Sequence, residues 1–378
     1  VSENSKIAIV IHSLSGGGSE HVAAMMASHW AAEGRDVTLI TLDAVTGDSI
    51  AIHENVRRVG LGLLFESKNF LSAIIANNRR VRALRGAIVA SNATRVISLT
   101  DRMNVLTILA CRATGRKPIV AERTDPRHHR IGCLWGILRR LTYPNAGTIV
   151  VQTESVRQAV IPFAGRVSVA VIPNAVSGDV ETPNRPAEED AGELSLDADR
   201  KWICGVGRLS TEKGFDRLIG GFAEIAQSHP DWNLVIVGDG PSRRELELHI
   251  AGFGLGGRVL LPGWIEEPWP SLRSAEVFVL PSRYEGFPNA LLEAMARGKA
   301  CVAADCQSGP AEIIQPGENG LLVVDDSNDE GFEAELAQTL DGLLSSSALR
   351  AQLGERAQEV TARFTVETHF QAWDAIDV

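Results

Sequence analysis

Short apolar runs alternate with stretches of helical period along most of this chain. Ile7–Ser13 (IAIVIHS) reads as a strand, Ser15–Ser19 (SGGGS) as a loop, Glu20–Glu33 as a helix and Val37–Leu42 as the next strand. Further strands fit Arg95–Leu99, Pro118–Ala121, Thr148–Gln152 and Val167–Ile172. Pro173-Asn174 closes this half, and Gly178–Arg200, rich in Pro, Asp and Glu, reads as a solvated linker. The alternation then restarts. Strands fit Trp202–Val206, Trp232–Val237, Val259–Leu261, Glu276–Leu280, Ala300–Ala303 and Gly320–Val324. Helices fit Phe215–His229, Arg243–Phe253 and Asn289–Arg297, and a final helical region runs from Glu330 onward. Strands alternating with helices imply parallel sheets covered on both faces. The expected architecture is α/β, with two doubly wound Rossmann-like domains at residues 1–176 and 177–358. Residues 359–378 are expected to form a helical segment packing back on the first domain. Ligands of such sheets bind beyond the carboxyl ends of the strands, and the cleft between the domains is the default site.

The chemistry concentrates in EGFPNALLE, Glu285 to Glu293. The strand before it is closed by Pro281-Ser282, and the helix after it starts at Asn289 and stops at Gly298. Glu285 therefore belongs to a strand-to-helix loop and Glu293 to the first turns of the helix. Between them lies a helix N-terminus, whose unpaired N–H groups favour an anion. A diphosphate resting there would leave Glu285 for a hydroxylated group on one side and Glu293 for a vicinal diol on the other. Sugar, diphosphate and ribose in line make a nucleotide sugar.

GVGRLSTEKG, Gly205 to Gly214, follows a strand of the same sheet and offers Arg208 and Lys213 to those phosphates. Each charge-assisted hydrogen bond is worth ~1.5–3 kcal/mol, and cations there stabilise a departing nucleoside diphosphate. VGDGP, with Gly238, and PGWI, with Trp264 and Ile265, end the next two strands. Contact with a base and simple turn chemistry explain these two segments equally well. SLSGGGSE, Ser13 to Glu20, links the first strand to its helix, and its glycines let backbone amides approach a phosphate or sugar. Its spacing is not GxGxxG, and the chain has no GxxxxGK[ST], which argues against a nicotinamide dehydrogenase or an NTPase.

Composition narrows the setting. The 378 residues suit two domains, and a hydrophobic content of 44% is ordinary for a globular protein. No apolar stretch approaches the ~20 residues that span a bilayer, and the first residues read as a strand rather than a secretory signal. Five scattered cysteines with no CxxC pair suggest neither a disulfide framework nor a zinc site, so the expected compartment is the cytosol. The net charge of −10 is uneven. Residues 1–176 carry 21 Lys and Arg against 12 Asp and Glu, whereas residues 177–378 carry 16 against 35. The first half thus suits an anionic partner. Two basic clusters stand out, Arg79–Arg85 and Arg123–Arg140, the second with Leu134, Trp135, Ile137, Leu138 and Leu141 among its arginines. They read either as a dock for anionic lipid headgroups at the inner face of a membrane or as a solvated face over an apolar core.

The ordered set GGGSE, GVGRLSTEKG, VGDGP and EGFPNALLE resembles family 4 of the retaining glycosyltransferases, which have the GT-B fold, over essentially the whole chain. AERTDP (Ala121–Pro126) and RRLTYPNA (Arg139–Ala146) are similar to the bacterial branch that builds lipid-linked oligosaccharides, lipopolysaccharide and exopolysaccharide. The resemblance implies sugar transfer from a nucleotide sugar, commonly UDP-linked, with retention and without a metal or other cofactor. It implies a glycan or lipid-linked acceptor, and no nucleic-acid partner. By position, Arg208, Lys213 and Glu285 would serve the reaction, the first two on the diphosphate and Glu285 on donor-sugar hydroxyls. Glu293 would take the ribose, and amides near Asn289, Ala290 and Leu291 would complete the phosphate site. Gly207, Phe287 and Pro288 belong to the same donor segments, and Gly17 and Gly18 would lie near donor and acceptor. Many members carry a histidine after the fourth strand of the first domain. The matching region here reads Glu122-Arg123-Thr124, so Glu122 or Arg123 does a different job or the donor sugar is recognised differently. The alternatives are an epimerase-like GT-B enzyme and a non-enzymatic sugar-binding protein. A metal-dependent transferase would use a DxD, and the one present, Asp197-Ala198-Asp199, falls in the acidic linker.

Overall fold

The computed structural model describes residues 5–65, 69–129, 131–176, 194–325 and 328–377. The chain divides into two units, Val1–Asn174 with Glu367–Val378, and Ala175–Val366. In the first, seven strands form one sheet: β1 (Ile7–Ile11), β2 (Val37–Thr41), β3 (Arg57–Gly60), β4 (Arg95–Leu99), β5 (Ile119–Ala121), β6 (Thr148–Val151) and β7 (Ser168–Val171). Their order is β3-β2-β1-β4-β5-β6-β7, with every pairing parallel. The second unit has β8 (Lys201–Val206), β9 (Trp232–Val237), β10 (Val259–Gly263), β11 (Ala275–Leu280), β12 (Ala300–Asp305) and β13 (Leu321–Val324). These run β10-β9-β8-β11-β12-β13, again all parallel. The α/β class read from the sequence, two doubly wound Rossmann-like domains, is the one found.

The central strand β1 is apolar and buried at every position because helices cover both faces of its sheet. Along β1, Ile7, Ile9 and Ile11 meet Val22, Met26 and Trp30 of the helix Gly18–Ala32, while Ala8 and Val10 meet Leu84 and Ile88 of the helix Phe70–Ala90. That split follows from the two-residue period of a strand. In the second unit Ile203, Leu234 and Ile236 face one core, and Cys204, Val235 and Val237 face the other.

Three departures from the sequence reading have physical causes. Gly18 is not a loop residue but the first residue of its helix, two positions ahead of the expected start. Within and just beyond Arg123–Arg140, the helix Cys133–Thr142 departs from the second of the two readings, a solvated arginine face over an apolar core: Leu134, Ile137 and Leu141 are exposed, while Arg123 and Arg139 are buried. Residues 359–366 do not leave the second unit, because Val360 and Phe364 pack in its core with Phe287 and Leu291. From Glu367 onward the chain packs on the first unit, where Phe370 stacks 3.6 Å from the His29 ring and Asp374 takes both Arg35 nitrogens at 2.7 and 2.6 Å. The linker residues 177–193 and Arg130 lie outside the described residues.

Candidate functional site

The carboxyl ends of β8, β9 and β11 each run into a glycine-bearing loop, and backbone contacts bind these loops together. Gly207 N donates to Val237 O at 3.0 Å, Leu209 N to Asp239 O at 3.0 Å, and Gly238 N to Gly263 O at 2.8 Å. Gly238 has φ 147°, and a Cβ there would stand 1.9 Å from the Gly207 carbonyl oxygen. Gly214 has φ 65°, and a Cβ there would stand 2.1 Å from the Pro281 carbonyl oxygen. Only glycine allows approaches this close. The Pro281 carbonyl is also held by Arg217 Nη2 at 2.6 Å, and Arg217 Nη1 reaches Asp325 at 2.6 Å. Arg283, two residues on, pairs with Asp216 at 2.6 Å and Asp329 at 2.7 Å. The sequence reading missed these anchors, since nothing local marks an arginine of the helix Phe215–Ile225 as buried.

On this frame the loop 207–214 meets EGFPNALLE. Lys213 Nζ donates to Glu285 Oε1 at 2.7 Å, and Ser282 Oγ donates to the same oxygen at 2.7 Å. Glu285 is 7% exposed, and its Oε2 takes no hydrogen bond from the described residues. Ser308 Oγ donates to the Glu285 carbonyl, fixing the loop from the other side. The helix Asn289–Ala296 begins after Pro288 with no side-chain cap; Asn289 N donates to Phe287 O at 3.1 Å, and the next two amides, of Ala290 and Leu291, lie in the uncapped first turn that favours an anion. Phe287 and Pro288 are buried, with the Phe287 ring 5.9 Å from Phe364, while Asn289 and Ala290 are half-buried and Leu291 is buried. Glu293 is half-buried rather than interior: Trp269 Nε1 donates to its Oε2 at 2.8 Å. Arg208 is exposed and has no ion pair among the described residues. Ile265 is buried, and Trp264 is 52% exposed.

In the first unit Gly17 has a packing role of its own. Gly17 precedes the helix Gly18–Ala32, and a Cβ on it would stand 2.2 Å from Glu20 Oε2. The missing side chain therefore lets the helix's own carboxylate fold back over its positive end. Burial pushes the Glu20 carboxyl up, but the His12 ring, with Nε2 3.0 Å away, and the Ser13 hydroxyl bring it below its ordinary value.

Glu122 and Arg123 face inward. Glu122 is 1% exposed, accepts from Arg139 Nη1 at 3.2 Å and from the Tyr143 hydroxyl, and burial pushes its carboxyl up to about 7. Arg123 donates to Asn174 Oδ1 at 2.9 Å, and burial lowers it to about 10. Both side chains are thus engaged with groups of their own unit. A histidine does stand at this edge: His129 Nε2 lies 3.1 Å from Asp101 Oδ2. Twenty-odd residues of sequence between these two partners hid the pair from a local reading. Asp197-Ala198-Asp199 lies exposed, with Asp197 accepting the Asp199 amide at 2.9 Å. Among the described residues no helix is long and apolar enough to cross a membrane.

Residues 186–360 match the family model described as glycosyl transferases group 1. The chain is 32% identical over 283 residues to an exopolysaccharide phosphotransferase of Streptomyces coelicolor, covering 74% of this chain and 28% of that one. It is 31% identical over 221 residues to the lipopolysaccharide core biosynthesis glycosyltransferase LpsE of Rhizobium meliloti, covering 58% and 61%. The chain thus spans less than two thirds of the length of these two relatives. Identity is 24% over 97% of both chains to an α-1,4-N-acetyl-D-galactosaminyltransferase of Campylobacter jejuni, named for an undecaprenol-diphosphate-linked glycan. Among solved structures, a sucrose-phosphate synthase of Thermosynechococcus elongatus superposes with a TM-score of 0.81 at 21% identity, covering 98% of each chain. HepE of Anabaena, in complex with UDP and glucose, superposes with a TM-score of 0.79 at 21% identity and the same coverage. The fold is the GT-B fold of the glycosyltransferases.

Proposed function

We propose that this chain transfers a sugar from a nucleotide sugar, UDP-linked, to a hydroxyl of a lipid-linked or polysaccharide acceptor in bacterial cell-surface glycan synthesis. The observation that carries the proposal is the Lys213–Glu285 contact at 2.7 Å beside the uncapped start of the helix Asn289–Ala296. That juxtaposition puts a cation, a row of amides and a carboxylate with one open oxygen within one loop pair, as a sugar diphosphate requires. The matched domain and relatives named for lipopolysaccharide, exopolysaccharide and undecaprenol-linked glycans support the same reading.

Retention and metal independence come with the resemblance to family 4. In the proposed step the bond from the anomeric carbon to the diphosphate oxygen breaks while the acceptor oxygen bonds that carbon on the same face. The acceptor proton passes to the departing phosphate. Lys213 and Arg208, with the amides of Ala290 and Leu291, offset the charge that develops on the leaving group. Glu285 holds donor hydroxyls through Oε2, and Glu293 takes the ribose diol. Incubating the chain with a panel of nucleotide sugars and lipid-diphosphate acceptors in the presence of a chelator tests all of this. Transfer with retained anomeric configuration supports the proposal, and activity restored only by a divalent ion removes the metal-independent part.

We further infer a peripheral membrane position at the cytoplasmic face. Leu134, Ile137 and Leu141 are 46%, 56% and 67% exposed on the helix Cys133–Thr142, and Leu71, Ile74 and Ile75 are exposed on the helix Phe70–Ala90. Arg79, Arg82 and Arg140, exposed on the same helices, supply the charge that anionic headgroups attract.

A further inference from the structure

We propose that Trp269 is a positioning residue for the ribose of the donor: its indole N–H orients the Glu293 carboxylate so that both ribose hydroxyls can meet it. The inference rests on the proposed role of Glu293 and adds a residue that acts through it.

Glu293 stands on the helix Asn289–Ala296, one turn past its start, and is half-buried. A glutamate in such a place has several rotamers, and ordering one of them costs conformational entropy. Trp269 Nε1 donates to Glu293 Oε2 at 2.8 Å. An N–H fixed in the plane of a rigid ring sets where that oxygen lies, which moves the ordering cost from binding to folding. An ionised carboxylate offers about four acceptor sites, so Oε2 keeps capacity for a hydroxyl beside the indole.

The indole is itself held firmly. Trp269 is buried and packs on Phe278, with ring centroids 6.1 Å apart. The Arg297 guanidinium lies 5.0 Å from the indole centroid, and Arg297 Nη1 donates to the Glu293 carbonyl at 3.1 Å, so one arginine ties ring and helix together. The short helix Pro268–Ser271 that carries Trp269 is anchored just past its end by a buried lysine. Lys299 Nζ donates to the carbonyls of Leu272 at 2.9 Å, Arg273 at 2.8 Å and Ala275 at 2.5 Å.

Burial of an indole does not by itself bring a carboxylate to it. Trp202 gives its N–H to a backbone carbonyl, that of Asp197, at 3.0 Å. Trp30 and Trp373 are fully buried, and their Nε1 atoms have no hydrogen-bond partner among the described residues. Of these four tryptophans, Trp269 alone points at a carboxylate, and that carboxylate belongs to the helix with the uncapped start.

The test is isothermal titration of the full chain with UDP and with 2′,3′-dideoxy-UDP, which lacks the diol. The native chain binds UDP at least about tenfold more tightly, the worth of one hydrogen bond to a charged group. Trp269→Phe lowers UDP affinity at least about tenfold and leaves dideoxy-UDP within about twofold of native, so the preference disappears. A merely structural loss weakens both ligands alike and keeps the preference. Should that variant not fold, replacing Trp269 by benzothienylalanine, which keeps the ring shape and lacks the N–H, abolishes the preference in the same way. A preference that survives either substitution would overturn the proposal and leave the transferase reading standing. A native chain that binds no UDP removes the transferase reading, and this inference falls with it.

Discussion

Lys213 and Glu285 meet 2.7 Å apart although 72 positions separate them along the chain. Their meeting depends on Gly214, whose left-handed backbone lets the loop after β8 press against the Pro281 carbonyl at the end of β11. The lysine thereby neutralises a carboxylate that is nearly out of solvent, and the pair borders a helix start that no side chain caps.

Lys213→Ala removes the partner of a buried carboxylate and, on the proposed function, a cation of the phosphate site. Transfer falls at least about tenfold, and the melting temperature drops by a few degrees because the remaining charge is poorly satisfied. Glu293→Ala cuts transfer by a similar factor and frees the Trp269 indole, which tryptophan fluorescence reports. Near-normal initial rates in either folded variant would count heavily against the assigned roles.

Backbone geometry gives a stability contrast. Gly214→Ala puts a Cβ into the Pro281 carbonyl oxygen at positive φ, and costs about 1–3 kcal/mol or more. Gly136 lies inside the helix Cys133–Thr142 with nothing within 4 Å of a Cβ, so Gly136→Ala stabilises by about 0.5–1 kcal/mol. Urea unfolding of the two variants checks both signs.

Glu122 makes stability depend on pH in a stated direction. Its carboxyl titrates near 4.5 when unfolded and at about 7 in the fold, pushed up by burial against the pull of Arg139. Between those values the folded chain binds the extra proton, so its contribution is fully present below pH 4.5 and is lost as pH rises through 7. Glu122→Gln retains the neutral shape and lacks that loss. The stability difference between native and variant therefore moves in the variant's favour from pH 4.5 to 7.5 in parallel urea titrations. A flat difference would contradict the burial of an unrelieved carboxyl.

The membrane inference is read out by vesicle co-sedimentation. Binding rises with the fraction of anionic lipid, at about 1 kcal/mol per basic residue near the surface, and I137E/L141E abolishes it. Equal binding to neutral and anionic vesicles would remove the electrostatic part.

Much of this arrangement was legible from local pattern. The apolar run of β1 and the mainly apolar runs of β2, β4, β8 and β9 announce strands, and EGFPNALLE announces a strand-to-helix loop. What stayed hidden depends on long-range pairing. The helix Phe70–Ala90 exposes Leu71, Ile74 and Ile75 among arginines, so it shows no clean apolar stripe, although Asn69 and Ser72 form a capping box at its start. Arg139 sits in a run of basic residues that reads as surface, yet Glu122 and Tyr143 give it a buried setting. Histidines 12 and 129 carry no motif, and each gains meaning only from a carboxylate on another element.

The central claim is that the start of the helix Asn289–Ala296 seats a pyrophosphate gripped by Lys213. Isothermal titration of UDP and UMP against the native chain and Lys213→Ala tests it most directly. The account predicts that UDP binds at least about tenfold more tightly than UMP to the native chain, a preference of one charge-assisted contact, and that the variant loses it. Equal affinity for UDP and UMP in the native chain, or a preference that survives Lys213→Ala, would contradict it.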